Sequence, residues 1–235
     1  MLTAADGNRL AAFTATDETP GGPGIVILPD IRGLHRFYQE LAMRFAETGI
    51  HATAFDYFGR TAGVGSGDAR GEDFDWEPHI AQTMPDTIGA DVAAAVAHTR
   101  SAGGGSATSV FTVGFCFGGR GSFNQAAQGH GLAGVIGFYG RVAKRDEGDA
   151  FAPVELAKDY ACPVLGLFGG ADPGITAADI HAFGLALDHA GVSNQLVSYP
   201  GAPHSFFDRT FDQHRDACDD AWRRILGFIE ANRSA

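Results

Sequence analysis

The feature that most constrains the fold is a short apolar run that ends in a glycine-rich turn, within residues 108–120. The run Val110–Val113 is rich in β-branched and aromatic side chains and predicts a buried strand, while helical spacing begins after Gly119. Between them stands Gly-Phe-Cys-Phe-Gly at 114–118, which is the G-x-S-x-G pattern of a nucleophile elbow with cysteine in place of serine. The sequence therefore predicts a strand, a strained turn and a helix, with a reactive side chain at the turn.

The two outer glycines of this motif indicate a steric requirement. A nucleophile on such a turn leaves no room for side chains two residues away, and Gly114 and Gly118 carry none. Cys116 would stand at a helix N-terminus, where the dipole and N–H groups stabilise a thiolate. The backbone N–H of Phe117 would point to where the oxyanion of a tetrahedral intermediate forms. The alternative interpretation is a buried structural cysteine, since free cysteine packs as a small hydrophobe.

Composition bounds the class of protein. Hydrophobic residues make up 45% and charged residues 19% of the 235 residues, which predicts a sizeable core and one α/β domain over residues 1–235. The net charge is −11 and no basic run occurs, so nucleic acid and anionic membranes are poor partners. The expected partner is a small molecule, and we expect a monomer or small homo-oligomer.

The cysteines and the N-terminal sequence favour a reducing compartment. Cys116, Cys162 and Cys218 are an odd number, widely separated and without C-x-x-C spacing. This pattern argues against a disulfide framework and a zinc site, and we interpret Cys162 and Cys218 as packing residues. Neither a secretory signal nor a membrane-length apolar run is visible, so the predicted location is cytoplasmic. No metal and no organic cofactor is implied by the residues.

The remaining chain alternates between strand and helix patterns. Strands are predicted at Leu10–Thr16, Ile25–Leu28, Ile50–Phe55, the elbow strand, Leu132–Tyr139, Pro163–Phe168 and Gln195–Tyr199. Helices are predicted at Phe37–Ala46, from Pro85 to the glycines at 103–105, after the elbow to Gln128, from Thr176 to Ala190 behind a capping box, and at the C-terminus with Ala217, Ala221, Ile225 and Phe228 on one face. Residues 61–82 read as a long functional loop. This alternation predicts an α/β fold with a mostly parallel sheet of about seven to eight strands and helices on both faces.

Three reactive side chains follow strands of this sheet. Cys116, Asp172 and His204 each come directly after a predicted strand, and chemistry in such sheets gathers beyond the carboxyl ends. The chain order nucleophile, acid, base is that of α/β-hydrolase triads. His204 would take the thiol proton and later activate water, while Asp172 would orient the imidazole.

At these residues the sequence resembles the dienelactone hydrolase, or carboxymethylenebutenolidase, family. The segments that carry the resemblance are Gly-Phe-Cys-Phe-Gly-Gly at 114–119, Gly-Gly-Ala-Asp at 169–172 and Tyr-Pro-Gly-Ala-Pro-His-Ser-Phe at 199–206. The resemblance implies an α/β-hydrolase fold and the triad Cys116, Asp172 and His204. It also implies that Ile31 shares the oxyanion hole with Phe117.

Two positions depart from the family pattern. Asp30 stands where the family has a glutamate that helps to activate the nucleophile, so Asp30 is the activating candidate here. No arginine occupies the family's substrate-binding position before the helix at Pro85, and Arg209 is one residue away from the second such position. Arg60, Arg32 and Arg36 are possible substitutes, and four aromatic residues are candidates to line the pocket: Trp76, Phe74, Tyr139 and Phe207.

The sequence thus predicts a cysteine-dependent hydrolase of small activated esters or lactones that works through a thioester acyl-enzyme. Two alternatives stay open at this point. The first is a non-catalytic binding protein of the α/β-hydrolase fold. The second is an enzyme whose low-pKa cysteine also serves as a redox-sensing thiol.

Overall fold

Nine strands occur in the described part of the chain, which in this computed structural model comprises residues 1–64, 70–71 and 73–233. They are β1 (Leu2–Thr3), β2 (Arg9–Leu10), β3 (Ala12–Ala15), β4 (Pro23–Leu28), β5 (His51–Phe55), β6 (Ser109–Phe115), β7 (Gly134–Phe138), β8 (Val164–Gly169) and β9 (Asn194–Tyr199). The first two form a separate small sheet, and the other seven form the central sheet in the order β3-β5-β4-β6-β7-β8-β9. The predicted α/β fold with a mostly parallel sheet is confirmed, with seven strands.

Eight α-helices accompany these strands within the described ranges: α1 (Arg36–Ala46), α2 (Gly59–Ala62), α3 (Glu77–Ile80), α4 (Pro85–Arg100), α5 (Phe117–Asn124), α6 (Pro153–Leu156), α7 (Ala177–His189) and α8 (Arg215–Asn232). By their internal contacts, Met1–Thr112 and Val113–Arg233 are two compact units. The expectation of a single domain stays a prediction.

The first unit is built around β4. The side chains of its last four residues, Ile25–Leu28, are fully buried, because the strand lies inside the sheet and is covered by a helix. β4 runs parallel to β5, with Ile25 opposite Ala52, and β3 pairs with β5 in the antiparallel sense. Helices α1 and α4 pack on these strands. The imidazole of His35 caps α1 by accepting the N–H of Phe37.

The second unit places the carboxyl ends of its strands at one edge. β7, β8 and β9 are mutually parallel, with Val135 opposite Val164. Helix α5 packs on β7, α8 packs on β7 and β8, and α7 packs on β9. Helix α7 begins with the predicted capping box, in which Thr176 and Asp179 bind each other's backbone N–H.

Some boundaries and faces differ from the prediction. Helix α5 ends at Asn124 and continues as a 3₁₀ turn, Gln125–Ala127. Within the loop predicted at 61–82, the structure contains the end of α2 and all of α3, while residues 65–69 and 72 lie outside the described residues. The buried face of α8 consists of Cys218, Ala221, Ile225 and Ile229, whereas Ala217 and Phe228 are only half-buried. No helix in the described ranges has the length and apolar character that crossing a membrane requires.

Candidate active site

Cys116 occupies the predicted elbow between β6 and α5. It is the N-cap of α5 and has φ 54° and ψ −111°, a conformation that is costly for a residue with a side chain. Its N–H donates to the carbonyl oxygen of Phe138, the last residue of β7, at 3.0 Å. Because β7 ends at the carboxyl edge, this bond holds the half-buried thiol at that edge.

The glycines around Cys116 are explained by backbone contacts. A Cβ on Gly114 would lie 1.9 Å from the carbonyl oxygen of Gly118, so the predicted steric requirement at Gly114 is confirmed. A Cβ on Gly119 would lie 2.4 Å from the carbonyl oxygen of Phe138. Gly119 therefore lets the nucleophile helix approach β7, a role that the spacing of the motif alone does not indicate.

Asp172 and His204 come from the exits of β8 and β9. The loops that carry them are in close contact: Ala171 N–H donates to the carbonyl oxygen of Ala202 at 2.9 Å. His204 Nδ1 lies 2.5 Å from Asp172 Oδ2. The other carboxylate oxygen of the buried Asp172 accepts the N–H of Gly174 at 2.8 Å. The carboxylate is thus fixed from one side and orients the imidazole on the other.

Cys116 and Asp172 together determine the charge state of His204. Burial alone lowers the pKa of His204, but hydrogen bonds and charge interactions with Cys116 and with Asp172 outweigh burial and raise the pKa from 6.5 to about 9. His204 is therefore linked to both other predicted triad members. At neutral pH its imidazole is protonated.

Tyr139 packs against this histidine. It follows β7 with φ 37°, a left-handed conformation that is uncommon for an aromatic residue. Its buried ring lies 4.9 Å from the imidazole of His204, centroid to centroid, and 5.7 Å from the ring of Phe206. Tyr139, predicted as a pocket residue, is thereby placed beside the base.

The two oxyanion candidates lie in different units. Phe117 is the first residue of α5 and follows the nucleophile, the position such an N–H donor requires. Ile31 is half-buried in the turn after β4. Their joint role stays a prediction.

Asp30 is buried and engaged within its own turn. Its carboxylate accepts the N–H of Arg32 at 2.9 Å and pairs with the Arg32 guanidinium, whose Nη2 is 2.8 Å from Oδ2. Its own N–H donates to the hydroxyl of Tyr38. Its activating role also stays a prediction.

Two of the other predicted cations already have partners. Arg60 pairs with the buried Asp91, Nη2 to Oδ1 at 2.7 Å, and with Asp6 at 2.5 Å. Arg36 pairs with Glu40 on the surface of α1.

The remaining candidates are dispersed. Phe207 is buried, with its ring 4.5 Å from that of Phe138, and Arg209 is exposed one turn after His204. In the first unit, Trp76 is half-buried before α3, and the ring of Phe74 stacks on His79.

Two arginines near the triad were not predicted from the sequence as site residues. Arg120, on α5, is buried; it donates to the carbonyl oxygens of Arg141 and Ala143 and pairs with Asp149 at 2.7 Å. Arg141 stands three residues after the end of β7. Its position beyond a parallel strand is the signal that could have identified it.

Comparison with known proteins identifies the family to which this sequence is similar. A model described as the dienelactone hydrolase family matches residues 10–232. A "Putative carboxymethylenebutenolidase" of Yersinia pestis is 30% identical over 233 residues, covering 95% of this chain and 84% of the relative. A protein of the same name from Methylorubrum extorquens is 30% identical over 210 residues, covering 86% of this chain and 70% of the relative.

Solved structures share the fold. A "Putative Dienelactone Hydrolase" of Klebsiella pneumoniae superposes with a TM-score of 0.83 at 24% identity, covering 98% of this chain and 97% of the other. A dienelactone hydrolase-like promiscuous phosphotriesterase from metagenomic libraries gives a TM-score of 0.79 at 22% identity, covering 98% and 96%.

Proposed function

This chain belongs to the dienelactone hydrolase family and is a hydrolase of the ester or lactone type, and on that premise we propose that it cleaves small activated esters or lactones through a thioester on Cys116. The observation that carries the proposal is the continuous link from Cys116 through His204 to Asp172. A nucleophile, a base and a group that orients the base are the parts that covalent acyl transfer requires.

Acylation begins with the proton of the Cys116 thiol already on His204, whose imidazole is protonated at neutral pH. The sulfur of Cys116 attacks the ester carbonyl carbon, and the carbonyl oxygen becomes an oxyanion that the N–H group of Phe117 stabilises. When the tetrahedral intermediate collapses, the C–O bond to the leaving group breaks. His204 Nε2 gives its proton to the departing alkoxide, and the acyl group remains on sulfur as a thioester.

Deacylation uses the same groups in reverse. The thioester sulfur is uncharged, so one of the interactions that raise the pKa of His204 is lost once the acyl-enzyme forms. The imidazole then accepts a proton from water, and the resulting hydroxide attacks the thioester carbon. The C–S bond breaks, a carboxylic acid leaves, and Cys116 regains its negative charge beside the imidazolium of His204, which holds the proton taken from water.

The chemistry of sulfur limits the substrates. A thiolate is a good nucleophile but also a good leaving group, so the intermediate collapses toward products only when the alkoxide also leaves easily. Enol esters and strained lactones meet this condition, whereas amides do not. His204 is a sufficient base for this scheme, and a contribution from Asp30 is a separate prediction. The mechanism also requires Cys116 to be reduced, which agrees with the predicted cytoplasmic location.

The proposal is tested by hydrolysis of a panel that contains a short p-nitrophenyl ester, a dienelactone and a neutral lactone. Cys116→Ala should lower kcat/KM by at least about a thousandfold, because it removes the nucleophile. Cys162→Ala is the matched control: it also removes a thiol, lies outside the triad and should keep the wild-type rate.

Full activity of Cys116→Ala would refute the cysteine mechanism. Tight binding of these compounds by the wild type without product would instead support the non-catalytic alternative. The compound with the highest kcat/KM identifies the class of ester or lactone that the enzyme prefers. Cys116-dependent turnover of the dienelactone would show that this chain catalyses the family's characteristic reaction.

A further inference from the structure

Arg120 carries a positive charge into the interior of the second unit. It lies in the first turn of α5, four residues after Cys116, and its backbone N–H donates to the carbonyl oxygen of Cys116 at 3.1 Å. Its side chain is only 7% exposed. A charge that is buried to this degree is costly unless it is paired and hydrogen-bonded.

The guanidinium of Arg120 meets these needs by binding the loop that follows β7. Nη2 donates to both carboxylate oxygens of Asp149 at 2.7 Å. Nη1 donates to the carbonyl oxygens of Arg141 and Ala143, each at 3.2 Å. Asp149 in turn accepts the N–H of Arg145 at 2.9 Å. One arginine of the nucleophile helix therefore holds this loop at three residues.

The start of this loop lies directly on the same helix. A Cβ on Gly140 would be 2.5 Å from the carbonyl carbon of Gly119, so the two backbones leave no space between them. The residue before Gly140 is Tyr139, which has a left-handed conformation and a ring 4.9 Å from the imidazole of His204. Such a conformation persists only where the surrounding structure holds it. Arg120 holds the chain immediately beyond Tyr139.

We propose that Arg120 is a positioning residue: it holds the loop after β7 so that Tyr139 keeps the imidazole of His204 in place. In that place the imidazole is directed at Cys116. An imidazole that turns away can neither stabilise the thiolate nor protonate the leaving group. Arginine suits the role because its planar fork of N–H donors binds a carboxylate and carbonyl oxygens at the same time. The inference rests on the proposed function of Cys116.

The first test separates positioning from stability. Arg120→Met alone would leave the carboxylate of Asp149 without its cation and would destabilise the fold. The double variant, Arg120→Met with Asp149→Leu, removes both charges, so its stability in urea denaturation should return toward that of the wild type. The loop carbonyl oxygens still lack their donor. In the double variant kcat should therefore fall about tenfold, while KM stays within about twofold of the wild-type value.

Lys144→Met is the matched control for this test. Lys144 lies in the same loop and pairs with Glu155 at 3.1 Å, but both side chains are nearly half exposed, so the pair contributes little. This variant should keep the wild-type kcat. An equal fall in Lys144→Met, or a double variant that regains kcat together with stability, would overturn the inference.

A milder variant covers the case in which the double variant does not fold. Asp149→Asn keeps one acceptor oxygen for the guanidinium and should lower kcat in the same direction, by about threefold. An unchanged kcat in Asp149→Asn would also overturn the inference.

The second test asks whether Arg120 acts through Tyr139. Tyr139→Leu removes the ring that lies against His204, so kcat should fall in this variant too. In the Tyr139→Leu background, removal of the ion pair should lower kcat by less than about twofold more, because the two changes break the same connection. A fall of about tenfold in both backgrounds would show that Arg120 does not act through this ring.

The third test needs no ester. Iodoacetamide alkylates the thiolate of Cys116 in a step that forms a C–S bond and releases iodide, and Cys116→Ala gives the background rate. An imidazolium beside the sulfur raises the thiolate fraction. The rate constant at neutral pH should therefore fall about threefold or more in the double variant and not in Lys144→Met. An unchanged rate constant in the double variant would contradict the positioning role.

The two proposals fail separately. Turnover that survives Cys116→Ala would refute the cysteine mechanism, and the alkylation rate would still decide the role of Arg120. Cys116-dependent turnover with an unchanged kcat in the double variant would refute the role of Arg120 and leave the hydrolase mechanism in place.

Discussion

His204 shows how two neighbours change the chemistry of a single residue. A histidine with an ordinary pKa is mostly neutral above pH 6.5, whereas Asp172 and Cys116 keep this one protonated up to about pH 9. The same imidazole can then act as the acid that protonates the leaving group. Tyr139 limits its movement from the side, because the two rings lie 4.9 Å apart.

We expect the ring proton signals of His204, followed by NMR against pH, to titrate with a midpoint near 9. Replacing Asp172 by Asn should lower this midpoint, because the carboxylate no longer favours the imidazolium. Replacing Cys116 by Ser should also lower it, for the same electrostatic reason. A wild-type midpoint at or below 6.5 would contradict this assignment of the charges.

The raised pKa of His204 also makes the stability of the fold depend on pH. Because the pKa of His204 is higher in the folded than in the unfolded chain, its stabilising contribution is complete below pH 6.5 and is lost as the pH rises through about 9. The advantage of the wild type over Asp172→Asn in urea denaturation should therefore shrink across that interval.

Asp30 illustrates the effect of one methylene group. Its short side chain reaches the N–H of Arg32 two residues later and forms the local turn that aspartate favours. The guanidinium of Arg32 also forms an ion pair with this carboxylate. The carboxylate of Asp30 is thus bound by groups of its own turn. Its contribution to catalysis should therefore be tested separately from that of the triad.

At the scale of elements, the strand–turn–helix unit of β6, Cys116 and α5 is fixed by backbone contacts. The turn brings the carbonyl group of Gly118 against Gly114, and Gly119 against Phe138. No side chain can relieve such contacts, because the opposing atoms belong to the main chain. The elbow therefore has no space for a larger residue at Gly114 or Gly119, and such close packing suits a nucleophile that must be held in one orientation.

Gly114→Ala should lower the free energy of unfolding by more than about 3 kcal/mol, because its Cβ would lie 1.9 Å from a carbonyl oxygen. The measurement is urea denaturation together with soluble yield. Gly227→Ala is the matched control: Gly227 lies in α8 with no atom within 4 Å of its Cβ position. That change should stabilise the protein by about 0.5–1 kcal/mol through helix propensity. Equal stabilities of Gly114→Ala and the wild type would show that the elbow can open.

At the scale of the whole molecule, the three cysteines have different environments. Cys162 and Cys218 are buried, and burial raises the pKa of Cys162 to about 12. The Cys218 thiol donates to the carbonyl oxygen of Phe206 at 3.4 Å. Cys116 is half-buried at the edge where the strands end. The fold therefore buries the thiols of Cys162 and Cys218 and leaves the thiol of Cys116 partly accessible.

Thiol titration should detect this difference. The native wild type should react with one equivalent of a disulfide reagent in a fast phase, and the denatured chain with three. Native Cys116→Ala should show no fast phase. A second fast equivalent in the native wild type would mean that the burial of Cys162 or Cys218 is transient.

The sequence by itself determined the order of the strands and helices along the chain, the elbow, the capping box at Thr176 and the three candidate triad residues. These features depend on local spacing: apolar runs make buried strands, glycines permit the turn, and reactive residues directly after parallel strands reach one edge. The 2.5 Å contact between His204 and Asp172 agrees with that rule.

Only the tertiary structure decided which charges are paired and which are free. Arg60 is held by Asp91, 31 residues away, and Arg120 by Asp149, 29 residues away, and no local pattern specifies such partners. Tyr139 against His204 and Arg141 beside Gly174 likewise depend on where separate loops meet after packing. Local patterns give the elements and the reactive residues, whereas long-range packing selects the partner of each side chain and so its charge, its exposure and its role.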